Sequence, residues 1–525
     1  MRQGAGRFTV IATALGALAL TGGPAAAHPE RPTAFPDGAG SVPKIRHSGP
    51  AKVVCKPDSA RRIAVIRDKR VRARNQRLLG QCRFRHVQAA VDAASNGDRI
   101  LVLPGIYREE PSRQTPNPDP RCEDMYVESA ASGKPTPTYE YEWNCPNSRQ
   151  LVAILGDSPE DPDSKCDRKC NLQIQGTGRI PAHVRFIGDP TKQNIFKADR
   201  ADGIVFYNLS AEISDYNNFY VLETDGFRFE RIRSRWSNEY GFLSFISDHG
   251  LYKDLNTYGA GDAGVYPGSG PQRAQCGITL RNINSHHNLQ GNSGSAGDNL
   301  CYYDSRFHDN GVGVVVDSFS RGHPGTPQDS SVWKNNRIYS NNEDYFTPEL
   351  DEYCKKPYVE RDPKIVCPAI MVPIGTGLLI AGGNANRVES NLIYDNYRYG
   401  TMLFFVEATF RGDDEPEKQN DTSHGNRFVN NLMGVTPSGT RAPNGTDHWW
   451  DEAGGLNCWQ GNVGPGGAPA TTDPASIPSS CPGEIFARPV NPLKHARLVP
   501  CATWDPMTNT DPAGCDWMTL PPKPE

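Results

Sequence analysis

Two consecutive stretches of 23 residues decide the fold of this chain: DGFRFERIRSRWSNEYGFLSFIS (residues 225–247) and DHGLYKDLNTYGAGDAGVYPGSG (residues 248–270). Written one above the other, they bring similar residues together: Asp225 over Asp248, Phe229 over Tyr252, Ile232 over Leu255 and Gly241 over Gly264. Short alternating apolar runs, separated by Gly, Asn and Asp at a fixed period, are typical of stacked coils. The pair therefore predicts a parallel β-solenoid.

The same pattern recurs downstream, where short apolar runs end at an asparagine, as at Asn310, Asn341 and Asn396. Asparagine tolerates the left-handed backbone of a tight corner, and its amide can bond to the corner above. We therefore predict a structural role for these asparagines.

An earlier stretch, FRHVQAAVDAASNGDRILVLPGIYRE (residues 84–109), places Val87, Ala90, Val91 and Ala94 at helical spacing before a strand and a Pro-Gly-x-Tyr segment. It resembles the first coil of secreted bacterial right-handed parallel β-helix proteins of the pectate-lyase-like class, which often carries IQxAVDxAxxGDxIxVxPGxY. The resemblance implies an all-β right-handed parallel β-helix with a short N-terminal capping helix. It covers about 25 residues and indicates a fold, not a reaction.

The chain begins like an exported protein. Arg2 and Arg7 precede an apolar run, which is followed by small residues ending in Ala25-Ala26-Ala27, and this is the order of a secretory signal. The alternative, a membrane anchor, is disfavoured because the run is shorter than the roughly 20 residues that a span needs. We predict a signal peptide over 1–27, secretion, and no transmembrane segment after cleavage.

Composition divides the rest of the chain, from residue 28 onwards, into three parts. We expect a flexible Pro- and Gly-rich leader over 28–60 and a parallel β-helix over 61–440 with a disulfide-held insertion at 111–170. Residues 441–525 are predicted to form Cys/Pro/Gly-rich C-terminal coils and a disulfide-rich tail.

Fourteen cysteines, an even number in an exported chain, predict a set of disulfides. A zinc site at Cys166 and Cys170 is the weaker alternative, because no second Cys or His pair accompanies them. Connectivity is not readable from sequence; the simplest pairing joins neighbours: Cys55 and Cys82, Cys122 and Cys145, Cys166 and Cys170, Cys276 and Cys301, Cys354 and Cys367, Cys458 and Cys481, Cys501 and Cys515.

Net charge is −4 and pI about 6.3, which argues against a nucleic-acid partner. A polysaccharide lying along the solenoid is the predicted partner of a monomeric protein, as the resemblance implies.

Polar loops are densest between residues 258 and 329. Alternation along the strands there predicts that Val265 and Val314 face inward while Tyr266 and Asp317 face outward. Carboxylates and imidazoles could supply a general acid and base, or carboxylates could bind Ca²⁺. The candidate catalytic residues are Asp262, His286, His287, Asp298, Asp317 and His323, and the candidate substrate-binding residues are Tyr266, Arg321 and Asp329. Each also has a structural interpretation as a coil-corner or stacked residue.

Named subfamilies of the class are not matched. The galacturonase-type order NTD, DD, GHG and RIK, the pectate-lyase motifs and the alginate-epimerase DPHE segment are absent from the sequence. Two hypotheses follow: a secreted carbohydrate-active enzyme (polysaccharide lyase, hydrolase or epimerase), or a non-catalytic extracellular protein that binds glycan or cell wall.

Overall fold

The computed structural model describes residues 31–129, 134–159, 166–271, 273, 275–320, 323–486 and 488–525. Each complete coil has up to three strands, and every strand pairs in parallel with its counterparts one coil below and above. The predicted parallel β-helix is confirmed. We name the three rows of strands face 1, face 2 and face 3 in the order in which the chain visits them.

Faces 1 and 2 belong to one hydrogen-bonded sheet, because Asp248–Tyr258 and Ile278–His286 run through both. The other strands of face 1 are Ala51–Val54, Arg99–Val102, Gln173–Gly176, Ile204–Tyr207, Asp225–Glu230, Leu300–Tyr303, Val332–Lys334, Arg387–Glu389, Arg427–Val429 and Cys458–Gln460. The other strands of face 2 are Gly105–Tyr107, Val184–Ile187, Ser210–Ser214, Arg233–Ser237, Arg306–His308, Arg337–Tyr339, Leu392–Tyr394 and Leu432–Met433.

Face 3 is a separate sheet. Its strands are Gln150–Leu155, Asn194–Asp199, Asn217–Leu222, Phe242–Phe245, Ala263–Gly268, Gln290–Asn292, Val312–Asp317, Thr376–Ala381, Tyr399–Phe404, Thr446–Trp450 and Thr472–Asp473. A small antiparallel pair, Tyr126–Glu128 with Pro135–Pro137, lies in the insertion.

The register of the two 23-residue stretches is the predicted one. Asp225 pairs with Asp248 and Phe229 with Tyr252, and the next coil continues the row with Leu280. Inside the solenoid, aromatic rings stack coil upon coil; Phe196, Phe219 and Phe242 lie parallel with centroids 5.1 Å apart. Such stacking removes the largest apolar groups from water and fixes the coil spacing.

Asparagine ladders fill the corners, as predicted. At the corner between faces 2 and 3, Asn310 donates to Asn341, Asn341 to Asn396 and Asn396 to Asn444, each at 3.0 Å. The strands entering face 3 carry a glycine beside this ladder. A Cβ at Gly313 would stand 2.7 Å from the amide nitrogen of Asn341, so only glycine leaves room for the ladder.

The described residues form eight short α-helices beside the coils: α1 Ser59–Ala64, α2 Lys69–Leu79, α3 Val87–Asp92, α4 Glu110–Arg113, α5 Tyr139–Asn144, α6 Pro348–Cys354, α7 Ala408–Arg411 and α8 Pro492–Leu498. Within α3, the predicted N-terminal helix, Val87, Ala90 and Val91 are buried in the main core. All fourteen cysteines form disulfides in the neighbour order given above. Among the described residues, no helix has the length and apolar composition needed to cross a membrane.

The segment before the first strand differs from the predicted flexible leader. Arg31 is buried and donates to Asp199 (3.0 and 3.1 Å) and Glu223 (2.6 Å) on face 3. Further along, Phe35 packs on an apolar cluster of the same face, and Gly40 N donates to Asp225 (2.8 Å). We name residues 31–43 the strap. The signal peptide over 1–27 lies outside the described residues.

Candidate active site

The outer side of face 3 carries apolar residues on both sides of a polar centre. In one direction Tyr220 and Leu243 are stacked in register, next to the buried ion pair of Lys197 and Asp199, and in the other direction Val315, Leu379 and Met402 are stacked. The strap lies against the first of these surfaces, and the C-terminal tail packs Trp504 and Trp517 with the second. Between them is a group of polar side chains that we name the central patch: Glu239, Tyr240, Asp262, Tyr266, Gln290, Ser295 and Asp317.

Asp262 is the most enclosed carboxyl of the central patch. The Tyr240 hydroxyl donates to its Oδ2 (2.9 Å), and Gln290 Nε2 donates to its Oδ1 (2.8 Å). Burial raises the pKa of Asp262 to about 7; the two hydrogen bonds oppose this rise, and the carboxylate of Asp317 adds to it. Asp262 therefore titrates near neutral pH.

Asp317 ends its strand on the same face. Ser295 Oγ donates to its Oδ2 (2.9 Å), and the backbone N–H of Phe319 donates to its Oδ1 (3.0 Å). Burial raises the pKa of Asp317 to about 6, against the effect of these two donors.

Tyr266 interacts electrostatically with both carboxyls. It is 3 % exposed, its phenol forms a side-chain hydrogen bond with Ser295, and both Asp317 and Asp262 act on it electrostatically. Burial and these two carboxylates raise the pKa of Tyr266 above its ordinary value. The predicted outward direction of Tyr266 and Asp317 is consistent with Val265 and Val314 lying in the core.

Glu239 is a member of the central patch that the sequence did not suggest. It lies one coil below Asp262, whose backbone N–H donates to the Glu239 carbonyl (3.1 Å). Burial, with Asp262 and Asp215 nearby, raises the pKa of Glu239 well above its ordinary value. A signal was present, because Glu239 stands over Asp262 when the two 23-residue stretches are aligned.

The two predicted histidines of the 286–287 pair lie elsewhere. His286 is on face 2, stacked between Tyr258 (5.2 Å) and His308 (5.3 Å), and its Nδ1 contacts His287 Nδ1 at 2.8 Å. Burial, then His308 and His287, lower the pKa of His286 to about 4. Because a corner separates faces 2 and 3, we remove both histidines from the candidate site.

Three more predicted residues, Asp298, His323 and Asp329, lie at the corner between faces 3 and 1. His323 packs edge-on against Phe245, with ring centroids 5.0 Å apart, and so lies beside the central patch. The Asp298 side chain accepts a hydrogen bond from the backbone N–H of Asp329. Burial raises the pKa of the Asp329 carboxyl. Arg321 lies outside the described residues. In the part of the chain that the structure describes, no three His, Cys, Asp or Glu side chains are arranged to hold a metal, so we assign no calcium ligands.

No family model matches the chain, and no curated protein matches it. Several solved structures are similar in outline. The A-module of mannuronan C-5 epimerase AlgE6 from Azotobacter vinelandii is 13% identical, covering 74% of this chain and 83% of that one, with a TM-score of 0.43. Pectate lyase Pel9A is 13% identical over 85% and 83%, with a TM-score of 0.36. The GH87 α-1,3-glucanase catalytic unit from Streptomyces thermodiastaticus is 10% identical over 74% and 61%, with a TM-score of 0.35. We transfer no residue from these proteins.

Proposed function

We propose that the protein is a secreted carbohydrate-active enzyme, a polysaccharide lyase, hydrolase or epimerase, whose reaction takes place at the central patch. The observation that carries this proposal is the arrangement of two buried aspartates, Asp262 and Asp317, on either side of Tyr266. Seven disulfides support an extracellular location, because disulfides persist in oxidising compartments.

The chemistry follows from the raised pKa values of the two carboxyls. Burial brings the pKa of Asp262 to about 7 and that of Asp317 to about 6, so both groups can hold or release a proton near neutral pH. Two interacting carboxyls with raised pKa values can serve as general acid and general base. The same pair can protonate a glycosidic oxygen in hydrolysis or exchange a proton at a sugar carbon in elimination and epimerisation.

Substitution of both carboxyls of the acid–base pair tests the proposal. Asp262→Asn and Asp317→Asn should each lower turnover about 100-fold, a contribution typical of a general acid or base. The matched control is Asp304→Asn, an exposed carboxyl paired with Arg281 at a different corner of the coil. Purified proteins are incubated with uronate-rich and neutral polysaccharides, and unsaturated ends and reducing ends are measured. Full activity in both test variants would refute the assignment.

One observation favours the second candidate, a non-catalytic glycan-binding protein. The side chains of the central patch are almost completely buried, with Asp262 1 % and Tyr266 3 % exposed. A rigid solenoid that binds glycan elsewhere on its surface would account for such a closed patch. This second candidate predicts that polysaccharide in the gel retards the protein in affinity electrophoresis, while neither unsaturated ends nor reducing ends are released.

A further inference from the structure

The strongest concentration of charge in the chain lies outside the central patch. Residues 58–85 contain ten Lys and Arg but only two acidic residues, Asp58 and Asp68, a formal charge of +8 in a chain whose net charge is −4. The segment therefore differs in sign from the rest of the molecule.

Its local structure turns these charges outward. Asp68 caps α2 by accepting from the backbone N–H groups of Arg70 and Val71. The single buried residue of α2, Asn75, donates to the Thr177 carbonyl (2.9 Å) and so fixes the helix to the first coils. None of the ten basic side chains is buried, and seven are exposed: Arg61, Arg67, Lys69, Arg70, Arg77, Arg83 and Arg85.

A cleft of about 430 Å³ opens between the end of α1 and the turn at residues 178–183. Arg62, Arg67 and Arg179 line it together with aliphatic side chains, of which Val65 is 77 % and Ile180 46 % exposed. This volume is in the range of sites that hold small molecules or a short stretch of polymer. Exposed aliphatic carbon between arginines offers both apolar contact and hydrogen-bond donors.

Two carboxylates, Asp58 beside Arg62 and Asp68 near Arg179, neutralise part of the positive charge of the cleft. Arg62 pairs with Asp58 (2.7 Å), whereas Arg67 and Arg179 form no ion pair within the described residues. Burial and the positive charge of Arg179 lower the pKa of His183, another lining residue. Arginines that keep free guanidinium groups in a cleft are suited to carboxylate, phosphate or sulfate groups.

We propose that this cleft binds an anionic polysaccharide, at a site separate from the central patch on face 3. It lies beside the first coils, against the corner between faces 1 and 2, so polymer bound there leaves face 3 free. The proposal does not depend on catalysis, because an anionic polymer held there would anchor the protein whether or not the central patch is active.

The surroundings favour polysaccharide over the other polyanions. No Phe, Tyr or Trp among the described residues lines the cleft, so the stacking that single-stranded nucleic acids require is missing. A membrane-surface helix needs a free apolar face, but Leu78 and Leu79 of α2 pack against a buried cluster that includes Val53. Sugar rings, with aliphatic C–H groups and attached anions, match the observed mixture of side chains.

A charge-neutralising triple variant tests the proposal. Arg62→Gln, Arg67→Gln and Arg179→Gln are combined, and the matched control combines Arg337→Gln, Arg387→Gln and Arg427→Gln, three exposed arginines on later coils. Both variants lose the same formal charge. Binding to heparin and to polygalacturonate is measured by isothermal titration calorimetry from 50 to 300 mM NaCl, with dextran, duplex DNA and anionic phospholipid vesicles as further arms.

The wild type should bind at least one anionic polysaccharide, with affinity falling as salt rises, and should not bind dextran. The cleft variant should bind about 10-fold more weakly, and the control should stay within about 2-fold. Equal loss in the two variants, or no binding by the wild type, would overturn the proposal. Tighter binding of DNA or vesicles than of either anionic polysaccharide would overturn the choice of partner.

Discussion

The titration of Asp262 can be measured as a change in folding stability. Its pKa is about 7 in the folded protein against an ordinary value of 3.8, so the folded state holds a proton that the unfolded chain has released. For a group whose folded pKa is raised, the free energy of unfolding decreases as pH rises through this window. Three pKa units correspond to about 4 kcal/mol in total, of which about 2 to 3 kcal/mol falls between pH 5 and pH 8.

Asp262→Asn removes that contribution with little change in shape. The amide keeps an oxygen for Gln290 and presents an N–H to the Tyr240 hydroxyl, which can accept as well as donate. We therefore expect the free energy of unfolding in urea to change between pH 5 and 8 by about 2 to 3 kcal/mol less in the variant than in the wild type. Parallel stability curves for the two proteins would show that Asp262 is already ionised at pH 5, and the proposed acid–base pair would be refuted.

The strap and the asparagine ladders lead to two further predictions. Arg31→Ala leaves Asp199 and Glu223 short of a buried partner and should lower the free energy of unfolding by about 3 kcal/mol, with faster hydrogen exchange at residues 32–41; unchanged exchange would contradict the contacts described. Asn391→Ala removes the acceptor of Asn336 N and Nδ2 and the donor to the Trp333 carbonyl, each costing about 1 to 3 kcal/mol, so urea unfolding should show a loss of at least about 3 kcal/mol. Asn462→Ala removes the same kinds of bond at the end of the ladder, but Asn462 is only half-buried, so water can replace them and the loss should be smaller; an equal loss would refute this account.

The fold was predictable from sequence periodicity because neighbouring coils repeat similar inward-facing residues. The register of Asp225 over Asp248 and the inward position of Val265 are local consequences of a 23-residue period and a two-residue alternation. Alternation also predicted the side of the sheet on which Tyr266 and Asp317 lie. Alternation could not predict the corner between faces 2 and 3, which separates His286 from Tyr266 and Asp317.

Contacts between distant parts of the chain were not predictable for a different reason. Arg31 meets partners 168 and 192 residues away, and an ion pair leaves no periodic trace in the sequence. The basic segment 58–85 is readable in the sequence, but a net charge of −4 averaged over 525 residues conceals it. Charge has to be evaluated segment by segment in a solenoid, because each coil contacts only its neighbours.

The independence of coils also explains how a polar patch can be built into the outer side of face 3. Each coil contributes one residue to every outward row, so replacing apolar residues by Tyr266, Ser295 and Asp317 on successive strands changes face 3 without altering the inward rows. The apolar surfaces on either side are covered by the strap and by the C-terminal tail. The patch between them is itself buried, and that burial is what raises the pKa values of Asp262 and Asp317 towards neutrality.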